Sequence, residues 1–108
     1  MPSMSQPNYE IRQLADELQP PESGKKTLLL SDDAQAKVLL FAFATGAGLA
    51  EHVAPLPATI QIIQGEAMLT VGETSVTGKP GTWIQMAPDT PHSIQAQSPL
   101  LMLLTLRK

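Results

Sequence analysis

The chain of 108 residues contains no cysteine, which excludes disulfide staples, thiolate metal centres and thiol nucleophiles. It also lacks an excess of positive charge. Seven Lys and Arg stand against ten Asp and Glu, a formal charge of -3, so there is no electrostatic footprint for nucleic acid or anionic lipid. No apolar run approaches the roughly 20 residues that a membrane-spanning helix needs. The Met-Pro-Ser start has no basic-then-apolar leader, and a soluble, cytoplasmic domain is expected. Histidine is scarce too: His52 and His92 are the only two.

Charge is unevenly placed. Residues 38–106 carry only Glu51, Glu66, Glu73, Lys79 and Asp89. With 43% apolar residues, the composition suits a single compact domain. Ile11, Leu14, Ala15 and Leu18 recur at helical spacing, so residues 9–18 are expected to form a short amphipathic helix that Pro20 and Pro21 stop. A division follows: residues 1–24 as an N-terminal arm and 25–108 as the barrel domain.

From Lys25 onward the pattern is that of strands. TLLL, VLLFAFA, ATIQII, AMLTV, TSVT, TWIQM, HSIQA and LLMLLTL are separated by short turn signals. Gly72-Glu73 fits a type II′ hairpin, and Pro80-Gly81 a type II turn. About eight short strands without room for crossover helices predict an all-β sandwich or small barrel. Val38–Phe43 and Leu100–Leu104 are apolar on both faces, and such strands must be covered on both sides. A homodimer is therefore expected to cover the outer face. The alternative is coverage by the chain's own arm. Trp83, Phe41 and Phe43 read as core or interface anchors, and Met68, Met86 and Met102 as flexible fillers of apolar space. Gln61 is expected to point outward.

If His52 faces inward, Ala54, Ala58, Ile60 and Ile62 share its face, while His92, Ile94 and Ala96 share one on another strand. Glu51 and Gln95 then point away. No Ser-His-Asp constellation and no phosphate-cradling glycine loop is present.

At these residues the chain resembles the cupin superfamily. The first cupin motif runs Gly, five residues, His, one residue, His, three or four residues, Glu, six residues, Gly. Here Gly46, His52 and Gly65 keep that spacing, and Ala54 and Ala58 stand at the other two ligand positions. In the second motif Gly81 and His92 match, while Ala87, Asp89 and Ala96 occupy the Pro, Gly and Asn positions. The resemblance covers most of the chain and implies a small stand-alone, RmlC-like cupin barrel (a jelly-roll or double-stranded β-helix) with a short N-terminal helix or arm. It makes His52 and His92 counterparts of metal ligands, with a divalent transition metal (Zn, Ni, Fe or Mn) as the implied cofactor. Three functions stay open. The first is binding of a small organic ligand in an apolar pocket lined by His52, His92, Ala54, Ala58, Ile60, Ile62 and Ile94. The second is a metal-dependent enzyme of dioxygenase or isomerase type with a reduced two-histidine site. The third is a structural or interaction dimer without a ligand.

Overall fold

The computed structural model describes residues 8–108. One helical turn, α1 (Leu14–Glu17), precedes nine strands. These are β1 (Lys25–Asp32), β2 (Ala36–Phe43), β3 (Gly48–His52), β4 (Ala58–Gln64), β5 (Ala67–Val71), β6 (Thr74–Gly78), β7 (Trp83–Met86), β8 (His92–Ala96) and β9 (Leu100–Arg107). They form two antiparallel sheets, ordered β1-β2-β9-β4-β7 and β3-β8-β5-β6. No helix among the described residues is long and apolar enough to cross a membrane.

The inner faces of both sheets make one core. Phe43, Ile60, Ile62, Leu69, Leu100 and Met102 are wholly or almost wholly buried there. Phe41 stacks on Phe43 with ring centroids 5.9 Å apart. The expected turns form: Gly72 has φ 59 and Gly81 φ 96, and the Thr82 amide donates to the Lys79 carbonyl at 2.8 Å across Pro80-Gly81.

Three expectations need correction. Among the described residues nine strands form rather than eight; the additional one is β3, whose Gly-Leu-Ala-Glu-His sequence is short and has a single large apolar side chain. The helix covers four residues only, not 9–18. Ile11 stays exposed, while Arg12 pairs with Glu10 and Glu17 at 2.6 Å in the stretch before and into the turn. Trp83 lies on the outer face of its sheet, 57% exposed, and Met68 is also exposed; neither is core.

A second apolar cluster lies on the outer face of the larger sheet. Leu40, Ala42 and Leu101 are wholly buried within the single chain. Leu14 and Leu18 of the arm pack against them together with Leu28, Leu30, Ile63 and Leu103. The two-sided apolarity of β2 and β9 is thus met largely by the chain's own N-terminal segment. This segment and the sheet form a second, smaller core in which Leu28, Leu30, Ile63 and Leu103 are partly buried.

Candidate functional site

Two connections carry the chain between sheets at the same end of the barrel. Residues 53–57 run from His52, the last residue of β3, to Ala58, the first of β4. Residues 87–91 run from Met86, the last of β7, to His92, the first of β8. The Asp89 amide donates to the Ala54 carbonyl at 2.8 Å and ties the connections together. The Gly72 amide donates to the Pro91 carbonyl at 2.8 Å and fastens the β5–β6 turn to the same rim. Asp89 has φ 63, a left-handed conformation that costs a non-glycine residue about 1–2 kcal/mol. This is the position at which the cupin motif has glycine.

His52 and His92 meet here. They are direct partners in the β3–β8 ladder, with ring centroids 4.1 Å apart and planes inclined by 57°. Strict alternation would put Leu49 and His52 on opposite faces. The ladder shifts register between them, so Leu49 opposes Ile94 and His52 opposes His92. This bulge turns both β3 residues toward the inner side. His92 is 6% exposed, whereas His52 opens to solvent.

Each ring is oriented by its own backbone. His52 Nδ1 donates to the Ala50 carbonyl and His92 Nδ1 to the Thr90 carbonyl, both at 2.8 Å. A neutral imidazole that donates through Nδ1 keeps a lone pair on Nε2. Each of the two neighbouring rings therefore keeps an Nε2 acceptor, and neither Nε2 has a hydrogen-bond partner among the described residues.

The apolar surroundings follow from the ladders. Val71 opposes His92 on β5, and Thr74 opposes Val71 on β6. One step further in, Leu49, Ile94, Leu69 and Val76 share a rung. On the facing sheet Ala58 opposes Met86 and Leu106, while Ile60 opposes Ile84 and Leu104. A hollow of about 250 Å³ lies among Val71, Thr74, Val76 and Ile84. A larger depression of about 360 Å³ lies elsewhere, on the outer face of the smaller sheet, among Gly48, Ala50, Met68, Thr70, Ser93 and Gln95. It does not contain either histidine.

The other expected pocket residues distribute by depth. Ala54 is half-buried on the rim connection, and Ala58 is buried at the same end. Ile60 and Ile94 sit one rung in, within the core. Ile62 is deeper still, beside Gly78, where an added Cβ would come within 3.3 Å of Ile62 Cγ1. Val71, Thr74, Val76 and Ile84 were not anticipated. The Gly72-Glu73 turn gave the signal, since it makes Val71 and Thr74 direct partners and sets Val76 on the same inner row.

A metal fits this donor set poorly. Ala54 and Ala58 offer no lone pair, and no group of three or more His, Cys, Asp or Glu comes together among the described residues. Catalytic centres ordinarily keep three protein ligands and one open position. The two oriented imidazoles alone do not make such a centre.

A scan against protein-family models finds no match, and neither does a search of curated proteins. Solved structures do match. A cupin superfamily protein from Desulfitobacterium hafniense is 22% identical, with a TM-score of 0.83 over 94% of this chain and 93% of its own. A conserved protein of unknown function from Streptococcus pyogenes is also 22% identical, with a TM-score of 0.83 over 94% and 90%. A protein with a double-stranded β-helix domain from Klebsiella pneumoniae is 18% identical, with a TM-score of 0.80 over 93% and 90%. Together with the strand order and the two glycine-framed histidines, these likenesses establish that the chain has the cupin fold, a small double-stranded β-helix barrel.

Proposed function

We propose that the barrel binds a small organic ligand at the rim formed by His52 and His92. The ligand is largely apolar and carries one hydrogen-bond donor. The observation that carries this reading is the matched orientation of the two imidazoles, each fixed through Nδ1 and each left with an Nε2 acceptor. A hydroxyl or N–H group satisfies those acceptors, while the rest of the molecule lies over Val71 toward Val76 and Ile84. A hollow of about 250 Å³ suits a molecule at the small end of what protein pockets take.

Phenol and benzene separate the two contributions, since they differ by the donor alone. In NMR titrations phenol is expected to shift the side-chain signals of both histidines and the methyls of Val71, Val76 and Ile84. Benzene is expected to shift the methyls with lower affinity and leave the Nε2 signals unmoved. The variant His92→Ala should remain folded and bind the two probes alike. Equal binding of both probes by the unaltered protein would overturn the reading, as would shifts confined to Met68, Thr70 and Ser93 on the outer face. Stoichiometric uptake of Zn²⁺ or Ni²⁺ by chelator-treated protein, lost in His52→Ala and His92→Ala, would replace it with the metal-dependent alternative.

A further inference from the structure

The smaller sheet has a solvent-facing side that the histidine rim does not use. One rung across it runs Gly48, Gln95, Met68 and Thr77, and the next runs Ser93, Thr70 and Ser75. In that second rung Ala50 and Glu51 stand together opposite Ser93, because the register shift in β3 sets two residues against one. With Leu49 and His52 both turned inward, these two side chains fall on the outer side. Glu51 and Gln95, which strand alternation separates from the histidines, thus share one exposed surface.

This surface is hollow along β3. The depression of about 360 Å³ among Gly48, Ala50, Met68, Thr70, Ser93 and Gln95 falls in the range of about 300–1,000 Å³ common for small-molecule sites. Backbone packing keeps it empty of side chains. A Cβ on Gly48 would overlap the Ile94 carbonyl oxygen and come 2.9 Å from the Ile94 carbonyl carbon. No side chain can therefore fill the hollow from that position, and Ala50 contributes only a methyl.

The lining carries no charge but many hydrogen-bonding groups. Thr70 Oγ1 and Ser75 Oγ share a hydrogen bond at 3.0 Å. Ser93 adds a hydroxyl and Gln95 an amide, and both of these groups donate and accept. Met68 is the one large apolar side chain on this side, and its thioether stem adapts to the shape it meets. Glu51, next to Ala50 in the bulge, sets an acceptor-only carboxylate beside the hollow. No Lys, Arg or His lines it, so an anion would find no charge partner there and would be repelled by Glu51.

We infer that this depression is a second binding site, for the ring of a neutral polyhydroxylated molecule of the pyranoside type. Sugar hydroxyls donate and accept as this lining does, and the C–H face of such a ring lies on Met68 and Ala50. The site is open on one side, and each of its hydrogen bonds replaces one to water at modest net gain. Binding is therefore weak, in the millimolar range. The inference is independent of the ligand proposed for the histidine rim, which lies on the other side of the sheet.

NMR titration of the full chain with methyl β-glucopyranoside tests it. The sugar is expected to shift the Met68 and Thr70 methyls and the Gln95 side-chain amide, leaving the His92 ring and the Val76 and Ile84 methyls unmoved. Methyl β-glucuronopyranoside, the same ring with a carboxylate, should bind about tenfold more weakly, and Glu51→Gln should narrow that gap. Thr70→Val combined with Ser93→Ala should weaken the glucopyranoside about tenfold. Ala50→Leu, at an exposed position, should fill the hollow and abolish the response in a protein still folded by circular dichroism. No response at the highest soluble sugar concentration would overturn the inference, as would equal binding of the glucuronide or a response that survives Ala50→Leu. Sugar shifts confined to His92, Val76 and Ile84 would also overturn it. Phenol binding at the rim without any sugar response would remove this site and leave the rim reading standing.

Discussion

Gly65→Ala is expected to destabilise the protein by about 2–5 kcal/mol, a substantial share of the roughly 5–15 kcal/mol of a typical domain. Two effects add. Gly65 has φ 84, and a left-handed conformation costs an L-residue about 1–2 kcal/mol. A Cβ at Gly65 would also lie 2.0 Å from the Pro99 carbonyl oxygen and 3.1 Å from Leu100 Cα. Those are backbone atoms, and Leu100 is wholly buried, so relief requires the start of β9 to move. Overpacking of this kind costs about 1–3 kcal/mol. Gly81→Ala is the control: its φ is 96, but nothing lies within 4 Å of the added Cβ, so only the conformational part is expected. Urea unfolding of the two variants reads the difference. Equal losses would show that the close approach of Gly65 to Pro99 is not a constraint on the fold.

Leu40→Asp is expected to abolish the native fold rather than to release a folded monomer. Leu40 is wholly buried, packed between Leu28 and Leu103 in the ladders and under the arm leucines. A carboxylate there would have no partner, and an unpaired buried charge costs several kcal/mol. The milder Leu40→Ala should lose about 2–5 kcal/mol through the cavity it leaves. Circular dichroism with size-exclusion chromatography separates the outcomes. A soluble, folded Leu40→Asp monomer would mean that the arm does not cover this face in solution and that a second subunit does.

The barrel was legible because its strands announce themselves. Apolar runs of β-branched and leucine residues, punctuated by Gly72-Glu73 and Pro80-Gly81, fix most of the elements through backbone chemistry that acts locally. Strand β3 escaped because its sequence resembles a loop; tertiary pairing with β8 makes it a strand. The helix was overextended because spacing counts Ile11 as a packing residue, whereas only Leu14 and Leu18 reach the sheet. Four helical residues form only with such support, since an isolated turn is unfavourable.

The site was partly legible. The glycine-framed spacing placed both histidines, and their ladder pairing could be expected of the fold that spacing resembles. What the spacing lacked was the shift between Leu49 and His52, a non-local irregularity that no local residue type specifies. The two-sided apolarity of β2 and β9 correctly required a cover but did not say whose. In the arm upstream of Lys25, Leu14 and Leu18 hold the answer, and a pattern of two leucines does not identify the surface it will meet.

The central claim is that both imidazoles are fixed through Nδ1 and present Nε2 to one shared rim. Long-range ¹H–¹⁵N correlation spectra of the histidine rings test it directly. The spectra should show both rings as the tautomer protonated at Nδ1, with both Nε2 nitrogens bare and a through-space contact between the rings. A proton resident on Nε2 of either ring, or two rings without mutual contact, would contradict the account.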